Sequence, residues 1–582
     1  MQSTSRSLAA LVIAAVIAVG GCSSTTQSDE PTKNAKPASL TNPVEIAHAA
    51  EPTDGADLEA SNLPGQLFTQ AQLVIATDEE HLPGATSAAV ALGAPVLRAS
   101  DHLGANLADL GVRYAIAFGT DEQLRDEDVL VLEESQVPDM VSRLGIEPSF
   151  APAPEDLPSA LTGLEPGTLF MANPNAPAPA EPESEAATER EDTFEGAAPD
   201  GTGDADSTNA AGASAGNADD ADAPTGDASD DPSESAEPSE KPTLPQEIPP
   251  LVAGTAADFA MVTNSDDPIV IAQARAAGAD VHLLREDPRS SSVSTDMPSP
   301  YVTVFDEEMA GKWRVATAGV ELPGGGQLVF DGKRYVALYG NPASPALGVL
   351  GEQDTPATVA RAAEVARLYE ELTDDTVIPA LEIIVTVASG APGDDGNYSN
   401  EWDPDGFIDL IEAAEEAGQY VILDFQPGRS DFLTQVKQYE KLLAYPHVGI
   451  ALDPEWRLGP EEMPLTRIGH VEASEVNEVI DYLADYVRDH DLPQKALILH
   501  QFQLQMLRDR DQIDISRPEL AVVIHADGQG SQGAKASTWE TLHTDAPDVH
   551  WGWKNFYDED IPLLSPEGTY QVNPTPDFVS YQ

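Results

Sequence analysis

Short apolar runs alternate with longer amphipathic stretches over most of this chain. The runs have strand length, and the stretches between them have helix length. From residue 60 to 150 the series is regular. Residues 72–77 (QLVIAT) read as a buried strand, 83–92 as a helix closed by Gly93, and 95–97 as a second strand. Residues 103–110 form a helix ended by Gly111, and 114–118 (YAIAF) and 128–132 (DVLVL) are further strands. Such alternation predicts a parallel, doubly wound, Rossmann-like sheet. After a long interruption the series resumes at 259–263 (FAMVT), with a helix through Ala277, the pair Gly278-Ala279, and a strand at 281–284.

Residues 301–582 predict one larger α/β unit. It opens with a β-hairpin, 312–318 and 327–330, turning at Gly324-Gly325-Gly326. Seven strands follow at 335–339, 378–387, 420–425, 448–453, 495–501, 520–527 and 549–555. Helical stretches at 356–372, 407–417, 432–444, 473–490, 504–512 and 534–543 separate them. Seven β/α repeats in this length predict a (β/α)8-like, TIM-type barrel; no eighth strand stands out, and either the end segment 577–581 supplies it or the barrel is irregular.

Two stretches break the pattern. Residues 22–55 are polar and carry several prolines, which predicts a flexible tether. Residues 173–250 are built from Ala, Asp, Glu, Ser, Gly, Thr and Pro, with Phe194 as their only aromatic. Too little apolar surface is on offer there to offset ordering entropy, so a disordered acidic linker is expected. The domain plan is therefore 1–21 signal peptide, 22–55 tether, 56–172 first part of an α/β domain, 173–250 linker, 251–300 second part of that domain, and 301–582 barrel.

Charge and cysteine narrow the setting. The formal charge is −70 and the pI near 4.1, which excludes nucleic acid as a partner and also electrostatic docking on anionic lipid. Between residues 181 and 250, twenty acidic residues face only Arg190 and Lys241, so the folded parts are acidic too. Cys22 is the only cysteine, and disulfides are impossible within one chain. Before it stand Arg6, an unbroken apolar run of 12 residues (8–19), Gly20 and Gly21. The run is short for a membrane span and right for a signal-peptide core. Small residues before a lone cysteine resemble the lipobox of bacterial lipoproteins. The resemblance implies cleavage before Cys22, lipid on that residue, and a protein held to the outer face of a membrane by its lipid anchor alone; the competing reading is a plain secretory signal.

The two halves of the α/β domain share a motif. Val74 to Leu97 reads V-I-A-T-x15-G-A-P-V-L, and Ala260 to Leu283 reads A-M-V-T-x14-G-A-D-V-H-L. Through Ala76, Thr77, Ala88, Ala89, Leu92, Gly93, Ala94, Pro95, Val96 and Leu97 the chain resembles the type 2 cell-wall-binding repeat of Gram-positive surface proteins, with Pro83 and Gly84 in place of the usual acidic region. The resemblance implies cell-wall polysaccharide or peptidoglycan as partner; an ordinary flavodoxin-like sheet is the alternative.

Chemistry in a barrel collects at the C-terminal strand ends. There the sequence offers Glu382, Asp424, Asp453, Glu455, His500, Gln501, His525, Asp527, Lys554 and Asn555, and the tryptophans Trp402, Trp456, Trp551 and Trp553. Period-two alternation puts Asp453 and Glu455 on one face. Paired carboxyls suit glycoside cleavage, and flat rings suit sugar faces. VGIALDPEW is similar to the strand-four D-x-E of chitinase-like and muramidase-like barrels, which implies Glu455 as general acid; Ala451 stands where chitinases have a further Asp. Asp453 would tune that acid, and Asp424 or Asp527 would be base or nucleophile. The segments LDFQPGRSDF, ALDPEWRL and HWGWKNFYDED also resemble a group of exported actinobacterial proteins. A metal held by Asp424, Asp453, His500, His525 and Asp527 competes, but no H-x-H or H-E-x-x-H pairing supports it. No cofactor motif is present, since Gly324–Gly326 lacks the Lys-Ser/Thr of a phosphate loop. The expected function is glycan binding with glycoside hydrolysis; the alternative is a non-catalytic glycan-binding or scaffolding barrel.

Overall fold

The computed structural model describes residues 43–100, 102–145, 157–162, 164 and 248–582, with the backbone of 148–150 and 169–171. The signal segment, Cys22, most of the tether and residues 173–247 of the acidic stretch lie outside the described residues. Among those described, no helix is long and apolar enough to cross a membrane.

The N-terminal half is not one doubly wound sheet. It holds two separate four-stranded parallel sheets. One runs Val96–Arg98, Leu73–Thr77, Tyr114–Phe118, Leu130–Glu133. The other runs Ala279–Leu283, Phe259–Thr263, Tyr301–Val304, Ala56–Asp57. Tyr301–Val304 therefore completes the second sheet, and that unit continues past residue 300. The two motif copies are its repeating units. Helices Leu82–Leu92 and Pro268–Ala277 each cross between paired parallel strands and end on a left-handed glycine, Gly93 or Gly278. A third strand–helix–strand unit of the same build, Pro148–Phe150, Leu157–Thr162 and Leu169–Met171, was not legible in the sequence. Alanine-rich faces let the helices pack closely; Gln273 donates to the Val96 carbonyl at 2.8 Å, and Arg98 pairs with Asp267 at 2.9 Å. One apolar core serves both sheets.

The expected hairpin at 312–330 is absent. Residues Glu307–Ala318 form a helix, because the Asp306 carboxylate caps the Met309 N–H at 2.8 Å, Glu307 and Glu308 favour the first turn, and Gly319 closes the end. The three glycines do turn, all at positive φ, but 327–330 form no strand. Instead Leu322 and Val329 seal the base of the barrel against Tyr335, Tyr420 and Phe578. Likewise 504–512 forms short turns and the two-residue strand Leu507–Arg508 rather than a helix.

The barrel itself is closed by eight parallel strands: β1 (Lys333–Gly340), β2 (Thr376–Ala388), β3 (Tyr420–Phe425), β4 (Val448–Leu452), β5 (Lys495–Gln501), β6 (Leu520–Ala526), β7 (His550–Asn555) and β8 (Phe578–Tyr581). Pairing of β1 with both β2 and β8 closes it. Alternation sorts the side chains into two environments. Ala337, Ala380, Ile422, Ala451, Ile498 and Val523 fill the interior, while Leu338, Leu381, Leu423, Ile450, Leu499 and Val579 meet the surrounding helices.

Candidate active site

Above that apolar interior layer, every barrel strand or the residue following it turns a polar group inward at the C-terminal end. They are Tyr339 (β1), Glu382 (β2), Asp424 (β3), Asp453 (after β4), His500 (β5), His525 with Asp527 (β6 and beyond), Lys554 (β7) and Ser580 (β8), all buried. The polar ring is wired together. Tyr339 donates to Asp424 Oδ2 at 2.8 Å. His500 is clamped between two carboxylates, Glu382 Oε1 at 2.8 Å from Nε2 and Asp527 Oδ2 at 2.9 Å from Nδ1. His525 Nε2 meets Ser580 Oγ at 2.8 Å. Four buried atoms of the ring have no partner: Glu382 Oε2, Asp424 Oδ1, Asp527 Oδ1 and His525 Nδ1.

The environments drive the acids apart. Burial raises Asp424 to about 6 and Asp453 well above the usual carboxyl range. Glu455 rises to about 7, through burial and then the charge of Asp527. For Asp527, burial is outweighed by the hydrogen bond from His500, and its carboxyl is held below the usual value. Burial would lower His500, but Glu382 and Asp527 together raise it well above 6.5. Burial and the charge on His500 hold His525 well below that value, hence neutral.

Glu455 does not continue the strand. Pro454–Trp456 makes a helical turn after β4, and the Asp453 carboxylate accepts the Glu455 N–H at 3.1 Å. The turn, not strand alternation, sets Glu455 beside Trp456, and both line a mouth cavity of about 240 Å³ with Leu465, Thr466, Arg467 and Ile468. Trp402 is 40% exposed and lines a second cavity of about 300 Å³ with Asn341, Pro342 and Phe407.

Four expected contact residues face away from the interior. Trp551 and Trp553 alternate outward from β7 and pack on Trp539 of helix Gln532–His543, at 5.6 and 5.5 Å between rings. Asn555 accepts from Trp553 Nε1 at 3.0 Å and donates to Thr569, and Gln501 accepts from Arg510 at 3.0 Å. Each sits one residue out of step with the inward position beside it, Gly552, Lys554 or His500. Sequence reasoning missed Tyr339 and Ser580. For Tyr339 the signal was there, since alternation from Tyr335 through Ala337 leads to it.

Ligand atoms of Asp453, His500 and Asp527 lie within 4.8 Å of one another, as a metal would require. Yet both ring nitrogens of His500 are already bonded to carboxylates, and coordination would break one of those bonds. His525 Nδ1 packs on Gly552, where any Cβ would collide with it. The arrangement suits acid–base chemistry better than a metal centre. No family model, curated protein or solved structure matches this chain.

Proposed function

We propose that the barrel hydrolyses glycosidic bonds in cell-wall polysaccharide, peptidoglycan included, while Cys22 and its lipid hold the chain to the outer face of the membrane and the N-terminal half binds the wall. The observation that carries the reading is a pair of unlike carboxyls at the C-terminal end of the barrel, near enough for the charge of Asp527 to raise Glu455. Glu455 lines the cavity beside Trp456, and buried Asp527 keeps Oδ1 unpartnered. A carboxyl that keeps its proton near neutrality beside one that loses it early is the division of labour glycoside cleavage needs. Glu455 gives its proton to the leaving oxygen. Asp527 takes a proton from the attacking water or attacks the sugar itself. Asp453, protonated, holds the Glu455 backbone, and Asp424 is committed to Tyr339.

The test is release of reducing sugar from purified bacterial cell wall by the full chain and by Glu455→Gln. Loss of the acid lowers kcat by about 10²–10⁴-fold. Because Glu455 must be protonated to act, wild-type rate falls as pH rises through about 7. Asp527 must be ionised, so the acid limb lies below the ordinary Asp value of 3.8. Equal release by both proteins removes Glu455 from the chemistry. No release with the wall still retained favours the second reading, a glycan-binding barrel, which is suggested by the complete burial of Glu382, Asp424 and His500.

A further inference from the structure

The barrel region buries four lysines, and three of them are satisfied by the protein. Lys333 Nζ donates to the Gly325 carbonyl at 2.5 Å. Lys495 Nζ donates to the carbonyls of Tyr445 and Val448 at 2.8 and 2.7 Å. Lys535 Nζ donates to the Lys554 carbonyl at 2.7 Å and to Asp560 Oδ2 at 2.8 Å. Lys554 is the exception. It is 3% exposed, yet its ammonium meets no hydrogen-bond acceptor and no carboxylate oxygen within 4.0 Å among the described residues. Its contacts are ring faces: Nζ lies 3.3 Å from the centroid of Tyr339 and 5.3 Å from that of Phe556. A ring face offsets only part of the cost of drying an ammonium.

The carboxyls around it act on it only at a distance, and none takes a hydrogen bond from its ammonium. Glu382 and Asp527 share the proton-rich His500, while Asp424 is bonded to Tyr339. Burial keeps Asp424, Asp453 and Glu455 toward their neutral forms. Lys554 also stands on the inward face of β7, at the same end of the barrel as Glu455 and Asp527. A positive group with donors to spare is thus left at the centre of the polar ring.

We infer that Lys554 receives an anionic oxygen of the ligand, a carboxylate carried by the glycan, and so selects carboxylate-bearing sugars over neutral ones. The inference rests on the glycosidase reading only for the ligand being a glycan. A charge-assisted hydrogen bond to a carboxylate satisfies both charge and donors, which a neutral hydroxyl does not. Two kinds of glycan supply this chemistry: peptidoglycan strands freed of their stem peptides, whose ether-linked lactate then carries a free carboxylate, and uronate sugars.

The full chain is assayed on peptidoglycan strands freed of their stem peptides and, separately, on a uronate polysaccharide, each beside the same material with its carboxylates reduced to alcohols. Wild type is expected to prefer one native glycan over its reduced form by about ten-fold or more in kcat/KM, and the glycan that shows the preference names the source of the carboxylate. In Lys554→Gln that ratio collapses toward one, mainly through KM, while Lys554→Arg retains part of it. Circular dichroism and thermal unfolding check that both variants fold. A wild-type ratio near one on both glycans overturns the inference, as does a ratio in Lys554→Gln equal to that of wild type. Should wild type cleave nothing, the same ratios are read as dissociation constants by tryptophan fluorescence, and the same two results overturn the inference. Failure of the hydrolase reading and failure of the Lys554 assignment are then separate results.

Discussion

Lys495 opens β5 with its ammonium fully buried and bonded only to the carbonyls of Tyr445 and Val448. Burial without an anion lowers it to about 7 from an ordinary 10.5. The sign follows from proton counts. Between those two values the unfolded chain holds the proton and the folded chain has released it, so this residue makes stability rise with pH across that window. In Lys495→Met the rise is removed, so the wild-type minus variant unfolding free energy, measured by urea at pH 7, 8.5 and 10, increases as pH rises. His525 shows a second single-residue constraint: it keeps its place because the neighbour on β7 is Gly552, and Gly552→Ala would push the imidazole off Ser580.

At the level of elements, alternation within β1–β8 was readable, because each strand separates an apolar outer face from an interior one. It is enough to place Glu382, Asp424, Asp453, His500, His525, Asp527 and Lys554 in one ring. What it could not give was the parity of residues that attract attention by type. Trp551 and Trp553 are large and near a strand end, but they are odd members of a strand whose even members, Gly552 and Lys554, face inward. Trp551→Ala therefore costs about 3–5 kcal/mol of stability, as core truncations of aromatics do. Thermal unfolding will show this loss. Helix Glu307–Ala318 is hidden from the sequence for a related reason. The stretch KWRVATA alternates like a strand, and the decisive signal, the Asp306 cap, lies outside it. Glu455 escapes for a third: Pro454 ends the extended backbone after Asp453 and starts a turn.

Across the whole molecule, the two halves join at the base of the barrel. Arg289 donates to the Pro518 carbonyl at 2.8 Å, Arg314 pairs with Asp491, and the backbone of Gln327 and Val329 bonds to Gln494. Leu322 and Val329 are part of the barrel's own core although they precede β1. A chain cut to begin at Lys333 thus opens the lower end of the barrel. It is expected to unfold at lower temperature than a chain beginning at Arg285, by differential scanning calorimetry. That attachment leaves the opposite end of the barrel, with Glu455, Trp456 and Trp402, clear of the N-terminal half. A strand of any length can lie across such an end with both of its termini in solvent. The products of a polymer cut there would be long fragments of mixed size, not single sugars counted off from one end.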